Sequence, residues 1–112
     1  MSEELLLKHL IAVGERNIDK LMEDYTEESV LMIPSEKYAG LDRIRLFFGT
    51  MFELLPEGCE MTLTDRRAEG NIGFVVWAAE SDSIKVPFAT DTIIFEDGKI
   101  KYHTIGFISG AK

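Results

Sequence analysis

Apolar residues recur at helical spacing through the first half of the chain. Leu6, Leu10 and Val13, with Leu5 beside them, mark one face of a first helix that Gly14 weakens at its end. Asn17 is a suitable cap for a short second helix burying Ile18, Leu21, Met22 and Tyr25. Residues 29–33 read as a short strand stopped by Pro34, and residues 35–40 as a loop. A third helix is expected over residues 41–55. Its Ile44, Phe47, Phe48, Met51, Phe52 and Leu55 fall at i, i+3, i+4, i+7, i+8 and i+11, which is a strongly buried face. If this helix is the spine of the core, truncating Phe47 or Phe52 to alanine costs about 3–5 kcal/mol.

From Cys59 onward the period changes to two. Met61 and Leu63 begin one strand, and residues 72–80, 86–95 and 100–108 form three more. Glu69-Gly70-Asn71 and Glu96-Asp97-Gly98-Lys99 are turn signals between hairpin partners. Helices followed by an antiparallel meander predict an α+β fold, with the helices on one face of a sheet.

Composition narrows the function. The 112 residues suit one domain over 1–112, and the net charge is −8. That sign disfavours a nucleic-acid binder, whose affinity comes mostly from neutralising phosphates. The excess is concentrated in residues 1–36, with nine acidic and three basic side chains, and reads as a solvated helical face. No apolar run approaches the roughly 20 residues of a membrane span, and Met1-Ser2-Glu3-Glu4 is acidic where a secretory signal is basic. The lone Cys59 has no disulfide or zinc partner and reads as a small buried hydrophobe. A cytoplasmic location is the expectation, with no nucleic-acid or membrane partner.

The order of elements resembles the nuclear transport factor 2-like superfamily, which includes ketosteroid isomerases and SnoaL-like polyketide cyclases. Three stretches carry the resemblance: Asn17-Ile18-Asp19 through Tyr25-Thr26-Glu27-Glu28-Ser29-Val30; Gly40-Leu41-Asp42-Arg43-Ile44 followed by Phe47-Phe48; and Asp91-Thr92-Ile93-Ile94-Phe95 running through Asp97-Gly98-Lys99-Ile100 to Tyr102-His103. The resemblance implies a cone, in which a curved antiparallel sheet wraps the long helix, two further helices precede it, and a pocket opens at one end. It also implies a homodimer through the outer sheet face. Apolar side chains on both faces of the meander agree with that pairing.

Asp91 stands out because it interrupts the apolar strand Phe88-Ala89-Thr90-Asp91-Thr92-Ile93-Ile94-Phe95, where a carboxylate needs a partner. The resemblance places it where ketosteroid isomerases hold a protonated aspartic acid, an enzyme long used to illustrate a neutral carboxyl donating a hydrogen bond. Its relation to His103 depends on hairpin register. A two-residue Asp97-Gly98 loop pairs Phe95 with Ile100 and sends Asp91 and His103 to opposite faces. A three-residue loop with a bulge at Gly98 sets Asp91 directly opposite His103. The sequence permits both, and the resemblance favours the second.

His9 shares the inward face of the first helix, where the isomerases carry an oxyanion-hole tyrosine; it serves as an auxiliary donor or is simply packed. Where those enzymes place a general base, near the end of the first strand, this chain has Leu31-Met32-Ile33-Pro34 and no carboxylate. Trp77, Tyr38, Phe47, Met51, Ile105 and Phe107 are candidates for an apolar ligand-binding wall, with core packing the alternative for Trp77. Arg66-Arg67 reads as a solvated pair or dimer contact. No nucleotide or metal motif is present, so neither a cofactor nor a metal is expected. The leading expectation is a pocket for a small hydrophobic molecule, with isomerase, cyclase or hydrolase chemistry carried by Asp91, His103 and His9. The alternative is a non-catalytic dimeric binding or protein-interaction module of the same fold.

Overall fold

In the computed structural model, which describes residues 2–111, α1 (Ser2–Gly14) and α2 (Ile18–Met22) lead into β1 (Tyr25–Ile33). There follow β2 (Glu36–Ala39), α3 (Leu41–Leu54), β3 (Glu60–Glu69), β4 (Ile72–Glu80), β5 (Ile84–Glu96) and β6 (Lys99–Ala111). Asn17 caps α2, its side chain accepting from the Lys20 N–H at 3.1 Å. The helix stops at Met22, so Tyr25 opens β1 instead of belonging to α2.

The segment read as a loop before α3 is a strand. β2 pairs with β1 through Val30↔Ala39 to Ile33↔Glu36, with Pro34-Ser35 as the turn. It carries Tyr38. Its side chains are mostly exposed, so an edge strand held by backbone pairing leaves no apolar alternation to read. Gly40 (φ +88°) offers no side chain to cap α3, and the Leu41 N–H instead donates to Glu27 Oε1 on β1 at 2.8 Å. At the other end of α3, Ser81 Oγ–H donates to the Leu54 carbonyl at 2.6 Å. Arg16 Nε–H donates to the Leu55 carbonyl at 2.8 Å. These contacts fix α3 against β1, the β4–β5 turn and the end of α1.

The six strands form one curved, open sheet in the order β2-β1-β6-β5-β4-β3. All neighbours are antiparallel except β1 and β6, which run parallel through Val30↔Tyr102 to Met32↔Thr104. The sheet is therefore mixed, a correction to the wholly antiparallel expectation: β6 ends the meander beside the strand that began before α3. Register shifts occur in four of the five pairings, and such bulges bend strands. One lies at Pro87, where a residue without an N–H is tolerated.

One sheet face, with Leu31, Val75, Ile93, Phe95, Ile100 and Ile105, packs on Leu6, Ala12 and Leu21 of α1 and α2 and on Ile44 and Phe48 of α3. A Cβ on Gly73 would lie 3.2 Å from Leu6 Cδ1, so α1 crosses β4 close to van der Waals contact. Cys59 is half-buried, not buried, with its Sγ 3.5 Å from Arg16 Nη2.

The β5–β6 hairpin follows neither expected register throughout. Asp97 (φ +54°) and Gly98 (φ +78°) form the two-residue turn, and Phe95 pairs with Ile100. One step further in, Ile94 pairs with Tyr102, so Lys101 is an extra residue with no partner on β5. The bulge is thus at Lys101, not at Gly98. Beyond it Ile93 faces His103 and Asp91 faces Ile105. His103 is therefore on the inner face, diagonal to Asp91 instead of directly opposite.

The buried face of α3 is narrower than its pattern suggested. Ile44 and Phe48 are almost fully covered, whereas Phe47 and Met51 are half-buried because they border a cavity, and Phe52 is half-buried beneath the Arg16 guanidinium. Phe48→Ala should therefore cost about 3–5 kcal/mol, and Phe47→Ala or Phe52→Ala distinctly less. Urea unfolding of the three variants checks this ranking; equal losses would place all three rings in one closed core.

Candidate active site

The bulge at Lys101 turns His103 toward Asp91, and a chain of hydrogen bonds results. Trp77 Nε1–H, on β4, donates to Asp91 Oδ1 at 2.8 Å. His103 Nε2 lies 2.7 Å from Asp91 Oδ2, and His103 Nδ1 lies 2.7 Å from the Tyr25 hydroxyl. Burial raises the Tyr25 phenol well above its ordinary range, with Asp91 and Asp24 adding repulsion, so it keeps its proton. Its hydroxyl then donates to Nδ1, and Nε2–H donates to Asp91. Both carboxylate oxygens are held by rigid ring donors, and His103 itself is fully enclosed.

His9 projects from α1 onto the same cluster. Its ring is edge-on to His103 at 5.4 Å between centroids and meets Tyr25 and Phe48 in the same manner. His9 Nδ1 lies 3.6 Å from Asp24 Oδ2, too far for a hydrogen bond, and neither atom has another partner among the described residues. Asp24 Oδ1 pairs with Lys8 at 3.2 Å. Burial lowers the His9 pKa below the ordinary 6.5; attraction from Asp24 and Asp91 opposes the shift, and His103 adds to it.

Two cavities flank this cluster. The inner one, ≈ 330 Å³, is lined by Asp91 and His9 together with Arg16, Cys59, Phe48 and Val75 among others. The outer one, ≈ 400 Å³, is almost wholly apolar and lies between α3, β2 and the ends of β5 and β6. All six residues of the expected apolar wall, Tyr38, Phe47, Met51, Trp77, Ile105 and Phe107, line the outer cavity. Met51, Trp77 and Ile105 also line the inner one. The single pocket of the sequence reading is thus two, and the carboxylate opens on the inner one. His103 lines neither; it stands behind Asp91.

Sequence reasoning did not find Tyr25, Asp24 or Arg16, nor the bond from Trp77 to Asp91. The last was concealed because the β4–β5 register shifts between Trp77 and Ala79, so counting from the turn gives the wrong partner. Arg66 and Arg67 are exposed on β3, with Arg67 paired to Asp65 at 3.2 Å. Among the described residues no group of three histidine, cysteine or acidic side chains is placed to hold a metal ion. None of the helices there is long and apolar enough to cross a membrane.

The sequence profile of the SnoaL-like domain family matches residues 7–103, a span that begins within α1 and ends at His103, so that it includes His9 and the Asp91–His103 pair. The chain belongs to this family. None of the curated proteins matches it. Among solved structures, this SnoaL-like chain is similar to the epoxide hydrolase/cyclase-like enzyme SalBIII of pyran ring formation in salinomycin. That likeness has a TM-score of 0.82 at 18% identity, over 99% of this chain and 95% of that one. A candidate SnoaL-like polyketide cyclase from Shewanella denitrificans OS-217 has a TM-score of 0.77 at 15% identity, over 96% and 90% of the two chains. A de novo designed protein with a curved β-sheet is as similar, with a TM-score of 0.78 at 15% identity, over 96% and 88%. Likeness at this level carries the fold and no chemistry.

The buried neutral His9 has a consequence for stability. Its native pKa is lowered, so below about pH 6.5 the unfolded chain binds a proton that the native SnoaL-like domain resists. The contribution is complete above that pH and is lost as pH falls toward the lowered native value. The urea midpoint should therefore fall more steeply between about pH 7 and pH 5 in the parent protein than in His9→Gln. Parallel slopes would show that His9 titrates freely in the native state.

Proposed function

We propose that this SnoaL-like protein binds a small, largely apolar molecule and exchanges a proton with it through Asp91, in isomerase, cyclase or hydrolase-type chemistry without a cofactor. The observation that carries this reading is the setting of the carboxylate. Asp91 is nearly buried among apolar strands, yet it lines a cavity and has both oxygens fixed by Trp77 and His103. A carboxylate so held needs no reorganisation when a proton arrives or leaves. His103 and Tyr25 are positioning residues: the phenol fixes the ring tautomer, and the ring aims the carboxylate.

His9, neutral and on the same cavity, is the second group able to donate to or accept from the ligand. Trp77, Tyr38, Phe47, Met51, Ile105 and Phe107 supply apolar contact. The structurally similar SalBIII, described as epoxide hydrolase/cyclase-like, and the candidate polyketide cyclase are consistent with chemistry of this kind.

Proton exchange can be measured without knowing the natural substrate. Small cyclic ketones incubated with the protein in deuterium oxide should gain deuterium next to the carbonyl. Asp91→Asn should slow the catalysed exchange by about 10²–10⁴-fold while leaving the circular dichroism unchanged. Equal exchange by the two folded proteins would overturn the reading. It would favour the non-catalytic binding module, for which the carboxylate-free end of β1 at Leu31–Ile33 also speaks.

We further propose that the chain forms a homodimer through the uncovered sheet face. There Phe88 and Ile108 pair across β5 and β6 with more than half of each surface exposed, and Tyr102 on β6, Ile72 on β4 and Met32 on β1 are exposed beside them. Light scattering should give twice the 12.7 kDa chain mass, and Phe88→Lys with Ile108→Lys should halve it. A monomeric parent protein at micromolar concentration would sink the dimer.

A further inference from the structure

The inner cavity is lined by Asp91 and His9, with Arg16 and Cys59, and the outer cavity has the larger apolar wall. Apart from Glu36, Tyr38, Arg43 and Thr50, every residue lining the outer cavity is apolar, so that space has grip for a hydrocarbon and little to react with it. Only Met51, Trp77 and Ile105 line both spaces. Trp77 is tied by its indole N–H to Asp91, and Ile105 is a β-branched residue in the centre of the sheet, paired with Asp91. Met51 is different. It is unbranched, half-buried and projects from α3, and its thioether can swing without breaking a hydrogen bond or a strand pairing.

We propose that the two cavities are chambers of one elongated site, divided by Met51 as a movable partition. The ligand class that fits is a flexible chain molecule. Its hydroxyl or carbonyl oxygen sits at Asp91 and His9 in the inner chamber, and its hydrocarbon tail passes Met51 into the outer chamber beside Phe47 and Phe107. This deepens the acid–base reading of Asp91 and rests on it. Each chamber alone is near the lower end of the size of small-molecule sites, and together they fall well within that range. Met51 thereby becomes the residue that sets the accepted chain length.

The protein carries its own probe. Trp77 is the one tryptophan of the sequence and stands between the chambers, so its emission responds to occupancy of either. Linear alcohols from hexanol to hexadecanol should be titrated against the parent protein, Met51→Ile, Val13→Phe and Ile84→Phe, each shown to be folded by near-ultraviolet circular dichroism. Isoleucine is close to methionine in volume but has a stiff branch on a helix, and so fixes the partition. Val13→Phe fills the inner chamber, and Ile84→Phe fills the outer one.

In the parent protein, affinity should rise about fourfold per added methylene beyond the length that one chamber holds. In Met51→Ile the rise should stop at a shorter chain. Val13→Phe should weaken every alcohol, and Ile84→Phe only the long ones. If the rise in the parent stops where it stops in Met51→Ile, or if Ile84→Phe leaves hexadecanol unaffected, the chambers are separate and this inference falls. The Asp91 reading then survives, since it is tested by deuterium exchange on small ketones that need only the inner chamber. If no alcohol of any length binds the folded parent protein, both the elongated site and the apolar ligand reading are overturned.

Discussion

Lys101 occupies a position in β6 with no partner on β5, and every later side chain of the strand changes face because of it. Without the insertion, Ile100 and Tyr102 would point inward with Phe95 and Ile93, and His103 would point to solvent. With it, Tyr102 is turned outward and His103 is enclosed opposite Ile93, within 2.7 Å of Asp91. The same strand is the one that closes the sheet against β1, so its register also decides where Tyr25 meets the imidazole. A single extra residue thus places the central member of the polar chain.

That chain is costly to bury and is stabilised by completeness. An ionisable group in an apolar interior loses hydration worth several kcal/mol unless its hydrogen bonds are replaced. Here each partner has one: indole to carboxylate, carboxylate to imidazole, imidazole to phenol. The neighbouring His9–Asp24 contact is the contrast, with two buried atoms facing each other beyond bonding distance. Burial consequently prevails over the attraction of Asp24 and keeps His9 neutral, whereas both ring nitrogens of His103 have hydrogen-bond partners. The two histidines, in edge contact, hold different duties because one is fully bonded and the other is not.

Much of this was legible in the chain itself. The 3.6-residue period located the three helices, the change to period two located the last four strands, and Asp97-Gly98 located the final turn. An aspartate inside an apolar strand was enough to single out Asp91, and Tyr38, Phe47, Met51, Trp77, Ile105 and Phe107, read as an apolar wall, are among the residues that line the outer cavity. β2 was not legible, since an exposed edge strand is held by backbone bonds that leave no trace in side-chain pattern. Tyr25 was misread for a related reason: an aromatic residue three positions past Met22 suits another turn of α2 as well as a new strand.

What only the tertiary structure decided was which polar groups meet. The meander can be counted from its turns only while each residue of one strand opposes one residue of the next, and bulges at Lys101 and around Pro87 break that count. The contacts from Asp91 to His103 and to Trp77 lie beyond those breaks, and the contact from His103 to Tyr25 crosses a parallel seam between segments 78 residues apart. Division of the pocket by Met51, Trp77 and Ile105 likewise depends on how far α3 stands from the curved sheet. Local sequence sets the residues and their period. The pairing and curvature that bring them together are set by backbone geometry accumulated over the whole sheet.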